Sequence, residues 1–366
     1  VVLSSVSLYR YEVPLRTPLK LGGDTWRHRR GLLVRLATEG GAVGWGDAAP
    51  LPRFSPETWA DLVEHACGAG PRWTGMTLSE CKGGLDRTLR DVQALVLDAP
   101  ASLRFAVESA AIQLRAVAQD ISLATVLGKC RPTVALNALI PDLGDEGLEE
   151  ATRYRDQGYR AVKVKVGRTS LEAEADALHK IRRVLGDEVA LRADANRAWT
   201  LGEAVAFAEA TRGLDLAYVE EPLADPEQLP ELVARTDLRI ALDETTREAA
   251  PGVLLEEWPV AAVVLKPTLL GGIRATQTWS RTAQANDTTP VLSGAYESGV
   301  GHRILVALAA TGPDIPVGLS TYARLAADVL RPSLDMDGPT LNVESIVGAS
   351  ASVDEDRVTL IDSFSS

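Results

Sequence analysis

The spacing of apolar residues changes character near residue 130. Beyond it, short apolar runs (VALNAL, AVKVKV, VALRADA, LAYVEE, RIALDE, AAVVLK, TTPVLSG and IPVGLS) alternate with amphipathic stretches such as residues 171–185, 201–210 and 273–285. Short apolar runs bounded by turn residues predict buried strands; longer segments with a 3.6-residue period predict helices. Eight β units alternating with helices predict a parallel β/α barrel. An open doubly wound sheet is the alternative, and the lack of a GxGxxG after the first strand counts against it. Residues 1–130 predict an α+β domain instead. Alternation over 2–11 and 31–37 reads as strands, 58–67 and 103–117 read as helices, and the turns at Gly22 and Gly23 and over 50–56 read as exposed loops. Residues 334–366 break the barrel rhythm and are expected to return to the first domain, which leaves 131–333 as the barrel.

Composition narrows the class. A chain of 366 residues exceeds the usual single-core size, in keeping with a large and a small domain. The net charge of -12 disfavours nucleic acid and anionic membranes as partners, though not a small anionic substrate, since a bound cation inverts the local field. Three scattered cysteines suit a reducing compartment, and four scattered histidines form no metal or triad motif. The N-terminus alternates like a strand rather than a signal peptide, and no stretch is apolar enough to span a bilayer, so a cytoplasmic location is expected. The oligomeric state is not encoded in any of these features. Lysine supplies only 7 of 38 basic residues, which gives weight to lysines inside apolar strands.

Ionisable residues recur where successive barrel strands end: Lys163 and Lys165, Asp194, Glu220 with Glu221, Asp243 with Glu244, and Lys266. In a β/α barrel those ends face the active site. A strand period of two puts Lys163 and Lys165 on one face, opposite Val162, Val164 and Val166, and puts Arg192, Asp194 and Asn196 on one face of the next strand. Two neighbouring ammoniums are expected to lower each other's pKa, preparing one as a base. Asp194, Glu220 and Asp243 make an all-oxygen set suited to Mg2+, or Mn2+ in its place, with Glu221 and Glu244 outside it. Lys266 is expected across the mouth from the other two lysines. Base, metal and cation so placed suit removal of a proton next to a carboxylate.

These residues resemble the muconate-lactonizing-enzyme subgroup of the enolase superfamily. Within it the chain is similar to the o-succinylbenzoate synthase family, through GWGDAAPLPRFSPETW (residues 44–59), AVKVKVG (161–167), LRADANRAWT (191–200) and VVLKPTLLGG (263–272). The resemblance implies a modified TIM barrel, (β/α)7β, with an α+β capping domain. It implies a Mg2+-dependent dehydratase acting on a small-molecule carboxylate through an enediolate, in menaquinone biosynthesis. Lys165 would be the base, Lys163 would support the enediolate, and Lys266 would stabilise it from the opposite face. Asp194, Glu220 and Asp243 would ligate the metal. Asn196 and Arg192 would orient a ligand or a carboxylate, and Ser293, Gly294, Gly318 and Leu319 would line the succinyl pocket. The loop 17–29, which carries Trp26, and the turn 50–54 would close over the substrate. His302 is expected to be structural, and Trp45 and Trp59 to pack. N-succinylamino acid racemases, dipeptide epimerases and muconate cycloisomerases share the lysines and form the nearest alternative. The last strand, VGLST, lacks the Asp-x-Asp of dipeptide epimerases. A non-catalytic binding barrel is the remote one, and it is at odds with an intact set of acids and lysines.

Overall fold

The computed structural model describes residues 1–21, 24–79, 84–348 and 351–365. The turn at Gly22 and Gly23, Cys81, Lys82 and the Lys20 side chain lie outside the described residues. Strands β1 (Leu3–Leu21), β2 (Asp24–Thr38) and β3 (Val43–Ala48) form an antiparallel sheet with the C-terminal segment Val358–Ser365 on the far edge of β1. The period of two is plain in β1, where Tyr11 and Val13 are buried and Arg10 and Glu12 are exposed. Residues 17–29, expected as a loop, instead extend the β1–β2 hairpin on both sides of its turn, with Leu19 opposite Trp26. His28 and Arg29 continue the regular register with Pro14 and Val13, and the pairing of Leu19 with Trp26 lies beyond a register shift that no local propensity announces.

The helix Ala101–Ala118 packs across this sheet at backbone contact distance. A Cβ on Gly44 would lie 2.0 Å from the Ala110 carbonyl oxygen, and one on Gly46 would lie 1.7 Å from that of Ala106. Those glycines therefore set the sheet-to-helix spacing. Gly46→Ala should lower stability by about 3 kcal/mol, because the added methyl must push the helix off the sheet. An unchanged urea midpoint would show that the helix does not lie this close.

The second sheet is parallel. It runs through β4 (Ala138–Ile140), β5 (Ala161–Lys165), β6 (Ala190–Asp194), β7 (Leu216–Glu220), β8 (Ile240–Leu242), β9 (Ala262–Leu265) and β10 (Thr289–Leu292). The run VALNAL is not one strand, because its first half, Thr133–Ala135, pairs antiparallel with Thr340–Asn342. The segment IPVGLS closes the gap between the sheet's edges with single parallel bridges, Leu136 to Val317 and Ser293 to Gly318. It forms no full strand: Pro316 has no N–H to offer, and its carbonyl is taken by Arg192. Helices between strands are capped as their sequences require. Ser170 accepts from the Ala173 amide, and Thr200 forms a reciprocal capping box with Glu203.

One apolar core crosses from cap to barrel. Tyr11, Val13 and Leu33 of the hairpin pack in the same cluster as Ile304, Leu305, Leu319 and Tyr322. No helix among the described residues is long and apolar enough to cross a membrane.

Candidate active site

The site is built on the C-terminal ends of β5 to β9. On β5, Val162, Val164 and Val166 are buried in the apolar core between sheet and helices. The alternate positions, Lys163 and Lys165, turn to the barrel mouth, where their side chains keep 17 % and 19 % exposure. Parallel register then places Lys165, Asp194 and Glu220 in one row across three strands. Asp243 and Lys266 follow directly on β8 and β9.

Charges interleave across this row. The Lys163 Nζ lies 3.1 Å from Asp194 Oδ2 and from Glu220 Oε1. The Lys165 Nζ donates to Asp194 Oδ2 and Asn196 Oδ1, each at 2.6 Å, and Lys266 pairs with Asp243. The mutual depression expected of the two lysines is not what governs Lys163. Burial would lower its pKa, but the charges of Glu220 and Asp194 override that and hold the ammonium well above lysine's ordinary value. Burial likewise works against an ionised Asp194, yet Lys163 and Lys165 keep its carboxyl below the usual range.

The carboxylates still outnumber their cations. Burial, with repulsion from Asp194 and Asp243, pushes Glu220 up to about 8. Burial and the Asp243 charge push Glu244 up to about 7, and its Oε2 is buried without a hydrogen-bond partner. Among the described residues no three His, Cys, Asp or Glu side chains converge on one point, since ammonium groups stand between the acids. Asp194, Glu220 and Asp243 nevertheless fit a hard divalent cation. They are buried oxygen donors at the ends of consecutive strands, the chemistry that a hard divalent cation takes.

Glu221 faces the other way from Glu220 and acts as a brace. It accepts from the amides of Asp243 and Thr245 at 2.7 Å, from the Thr245 hydroxyl at 2.9 Å and from Arg197 Nε at 3.0 Å, which locks the ends of β7 and β8. Asn196, at φ +46°, spans Lys165 and Glu244.

The structure redirects two expected substrate contacts. Arg192 sits one layer below Asp194, donates to Asn137 and the Pro316 carbonyl, and stacks 5.2 Å from the Tyr218 ring centre. Those partners engage its guanidinium beneath the acids, whereas Lys163, opposite it on β5, reaches up to Asp194 and Glu220. Leu319 is fully buried in the apolar core, where it opens the short helical turn Ser320–Arg324 and packs in the same cluster as Ile304 and Tyr322. Ser293 and Gly294 do stand beside Gly318, but the Ser293 hydroxyl and the Gly294 amide both donate to the Gly318 carbonyl, so this wall offers mainly shape. His302 is buried, with Nδ1 on the Glu297 carbonyl and Nε2 facing Thr321. Over the mouth, Trp26 and Phe54 from the cap pack with Leu51, Leu269, Ala295 and Tyr296. Trp45 stacks on Tyr9 and Trp59 lies against Arg30.

None of Arg29, Asp47 and Tyr296, which stand close to this mouth, is expected individually as a site residue, although the segments 17–29 and 44–59 contain the first two. Asp47 lies inside the GWGDAAP segment, where a charged residue among buried small ones is the only hint.

Known proteins similar to this chain bear on its family and fold. A family described as Enolase C-terminal domain-like matches residues 146–357, and MenC, N-terminal domain, matches residues 3–82. The chain is 32 % identical to the o-succinylbenzoate synthase of Pectobacterium atrosepticum, covering 94 % of this chain and 98 % of that protein. It is 29 % identical over 91 % of its length to the protein PHYLLO, chloroplastic, of Arabidopsis thaliana, of which it spans 22 %. Among solved structures, a dipeptide epimerase from Enterococcus faecalis complexed with Mg and a dipeptide superposes with a TM-score of 0.84 at 21 % identity, covering 96 % of this chain and 100 % of that one. Identity that low speaks for the fold alone.

Proposed function

The chain belongs to the o-succinylbenzoate synthase family of the enolase superfamily, and from that premise we propose that it dehydrates 2-succinyl-6-hydroxy-2,4-cyclohexadiene-1-carboxylate to 2-succinylbenzoate, a step of menaquinone biosynthesis. The alternation of three ammoniums with three buried carboxylates at consecutive strand ends supports enediolate chemistry, and full-length similarity to an o-succinylbenzoate synthase supports the dehydration. Lys165 takes the proton next to the substrate carboxylate, and the electrons pass into an enediolate. Lys163 and Lys266 supply positive charge from opposite sides as that dianion forms, so their effect is greatest at the transition state. The same Lys165 ammonium then returns its proton to the departing hydroxyl, and water leaves as the ring becomes aromatic. Asp194, Glu220 and Asp243 would hold Mg2+, which supplies a divalent charge for the developing dianion. Asn196 orients Lys165, and Glu221 fixes the strand ends on which the acids stand.

The test is an assay of the Mg2+-supplemented protein on the cyclohexadiene and on N-succinyl amino acids. Dehydration should dominate by at least about two orders of magnitude in kcat/KM, since a fitted pocket is what separates the two substrates. Racemisation faster than dehydration would replace this reading with the racemase one.

A further inference from the structure

The turn Ser293 to Ser298 follows β10 and forms one side of the mouth. Its backbone is not self-supporting. Tyr296, a bulky non-glycine residue, sits at φ +63°, a conformation that persists only when its surroundings impose it. Those surroundings come largely from the capping sheet. Arg29 of β2 donates from Nε to the Tyr296 carbonyl at 3.0 Å and from Nη2 to the Ala295 carbonyl at 3.3 Å. Its other N–H groups reach the carbonyls of Pro50 (2.7 Å), Arg30 (3.2 Å) and Ala49. All five of its hydrogen bonds end on main-chain carbonyls, a pattern that needs the planar fork of a guanidinium. Asp47 of β3 holds the other end of the turn. Its Oδ2 accepts from the Ser298 amide at 2.7 Å and the Ser298 hydroxyl at 2.8 Å, while Tyr11 donates to its Oδ1 at 3.0 Å. Between these anchors, Glu297 accepts from the Ala295 amide at 2.7 Å and the Thr268 hydroxyl at 2.6 Å. Arg29 is 3 % exposed, and Asp47, Glu297 and Ser298 are fully buried.

We propose that Arg29 and Asp47 are positioning residues that shape the turn at 293–298 into the wall receiving the distal, non-reacting carboxylate tail of the substrate. The proposal rests on the reading of Ser293 and Gly294 as that wall. It has a structural corollary: the body of the capping sheet is fastened to the barrel at this turn. Neither residue touches the reacting atoms. Their contribution is spent on binding the tail, which is made equally in ground and transition states and is therefore read in KM.

The experiment compares Arg29→Ala, Arg29→Lys, Asp47→Ala and Asp47→Asn with wild type, by steady-state kinetics on the cyclohexadiene substrate and by hydrogen exchange at the Ala295 and Ser298 amides. The alanine variants should raise KM about tenfold with kcat within about threefold, as expected for lost uniform binding. Exchange at the two amides should quicken while the barrel strands stay protected. Asp47→Asn keeps an acceptor for the Ser298 amide and should recover most of the loss, whereas Arg29→Lys, lacking the fork, should not. The double alanine variant should be little worse than the poorer single one, because both anchors serve one turn. Unchanged KM with unchanged exchange overturns the proposal, as does a fall in kcat and kcat/KM that merely follows the folded fraction. If an alanine variant fails to fold, the Asn and Lys variants decide it by the same measurements. The exchange result stands even if the wild type does not turn over the diene, so failure of the positioning role and failure of the proposed reaction are separable.

Discussion

Lys165→Ala is expected to lower kcat for dehydration by at least about 10^3-fold, the scale of a lost general base, while leaving the thermal midpoint nearly unchanged. The fold tolerates the loss because Asp194, the buried partner of Lys165, keeps its 3.1 Å contact with Lys163. Lys266→Ala should behave differently. It removes charge from the far side of the mouth, which for a single-base dehydration costs only electrostatic stabilisation, about 10^2- to 10^3-fold. It also strips Asp243 of its ammonium partner, and a buried carboxylate left unpaired is destabilising, so its midpoint should fall in the metal-free protein. The contrast separates chemistries. A racemase needs a base on each face, and both variants would then lose turnover alike. Equal losses in the two variants, or near-normal turnover in Lys165→Ala, would remove Lys165 from the role of sole base.

Much of this site was legible because strand geometry is strictly periodic. The alternation in AVKVKV assigns Lys163 and Lys165 to one face, and a parallel barrel must then bring β6 and β7 alongside, so Asp194 and Glu220 follow. Depth and partnership are not periodic. Arg192 shares a face with Asp194 and a layer with Lys163, but its guanidinium is engaged by Asn137, the Pro316 carbonyl and the Tyr218 ring, whereas Lys163 reaches up to Asp194 and Glu220. Two lysines side by side suggest mutual repulsion until the carboxylates of the next two strands are placed between them. The residues missed altogether are those whose partners lie farthest away in sequence. Arg29 meets Tyr296 across 267 residues and Asp47 meets Ser298 across 251, and no local pattern records such pairings. The strands expected over 2–11 and 31–37 are there, but the far end of their hairpin escaped for a related reason: strand pairing, not propensity, extends it past Pro14 and Pro18.

Mg2+ should raise the thermal midpoint of chelator-treated protein, and Glu220→Gln should suppress at least about half of that rise. Glu220 is the most constrained of the three acids. It is fully buried, and it faces both Asp194 and Asp243 with Lys163 as its close counter-charge. A divalent ion among these oxygens removes the repulsion that burial and crowding create, so binding favours the folded state. At a hundredfold excess over Kd the gain is roughly 2.7 kcal/mol. Glutamine keeps the shape and one oxygen donor but withdraws a full charge from the ion's neighbours. A loss of affinity of at least about tenfold would take about 1.4 kcal/mol from the gain. Lys163 retains Asp194 in the variant, so the metal-free fold should survive, and any failure to respond to Mg2+ belongs to the metal site. Differential scanning measurements with and without millimolar Mg2+ read this without any turnover assay. A wild-type midpoint indifferent to Mg2+, or an equal rise in Glu220→Gln, would mean that these acids serve only the lysines.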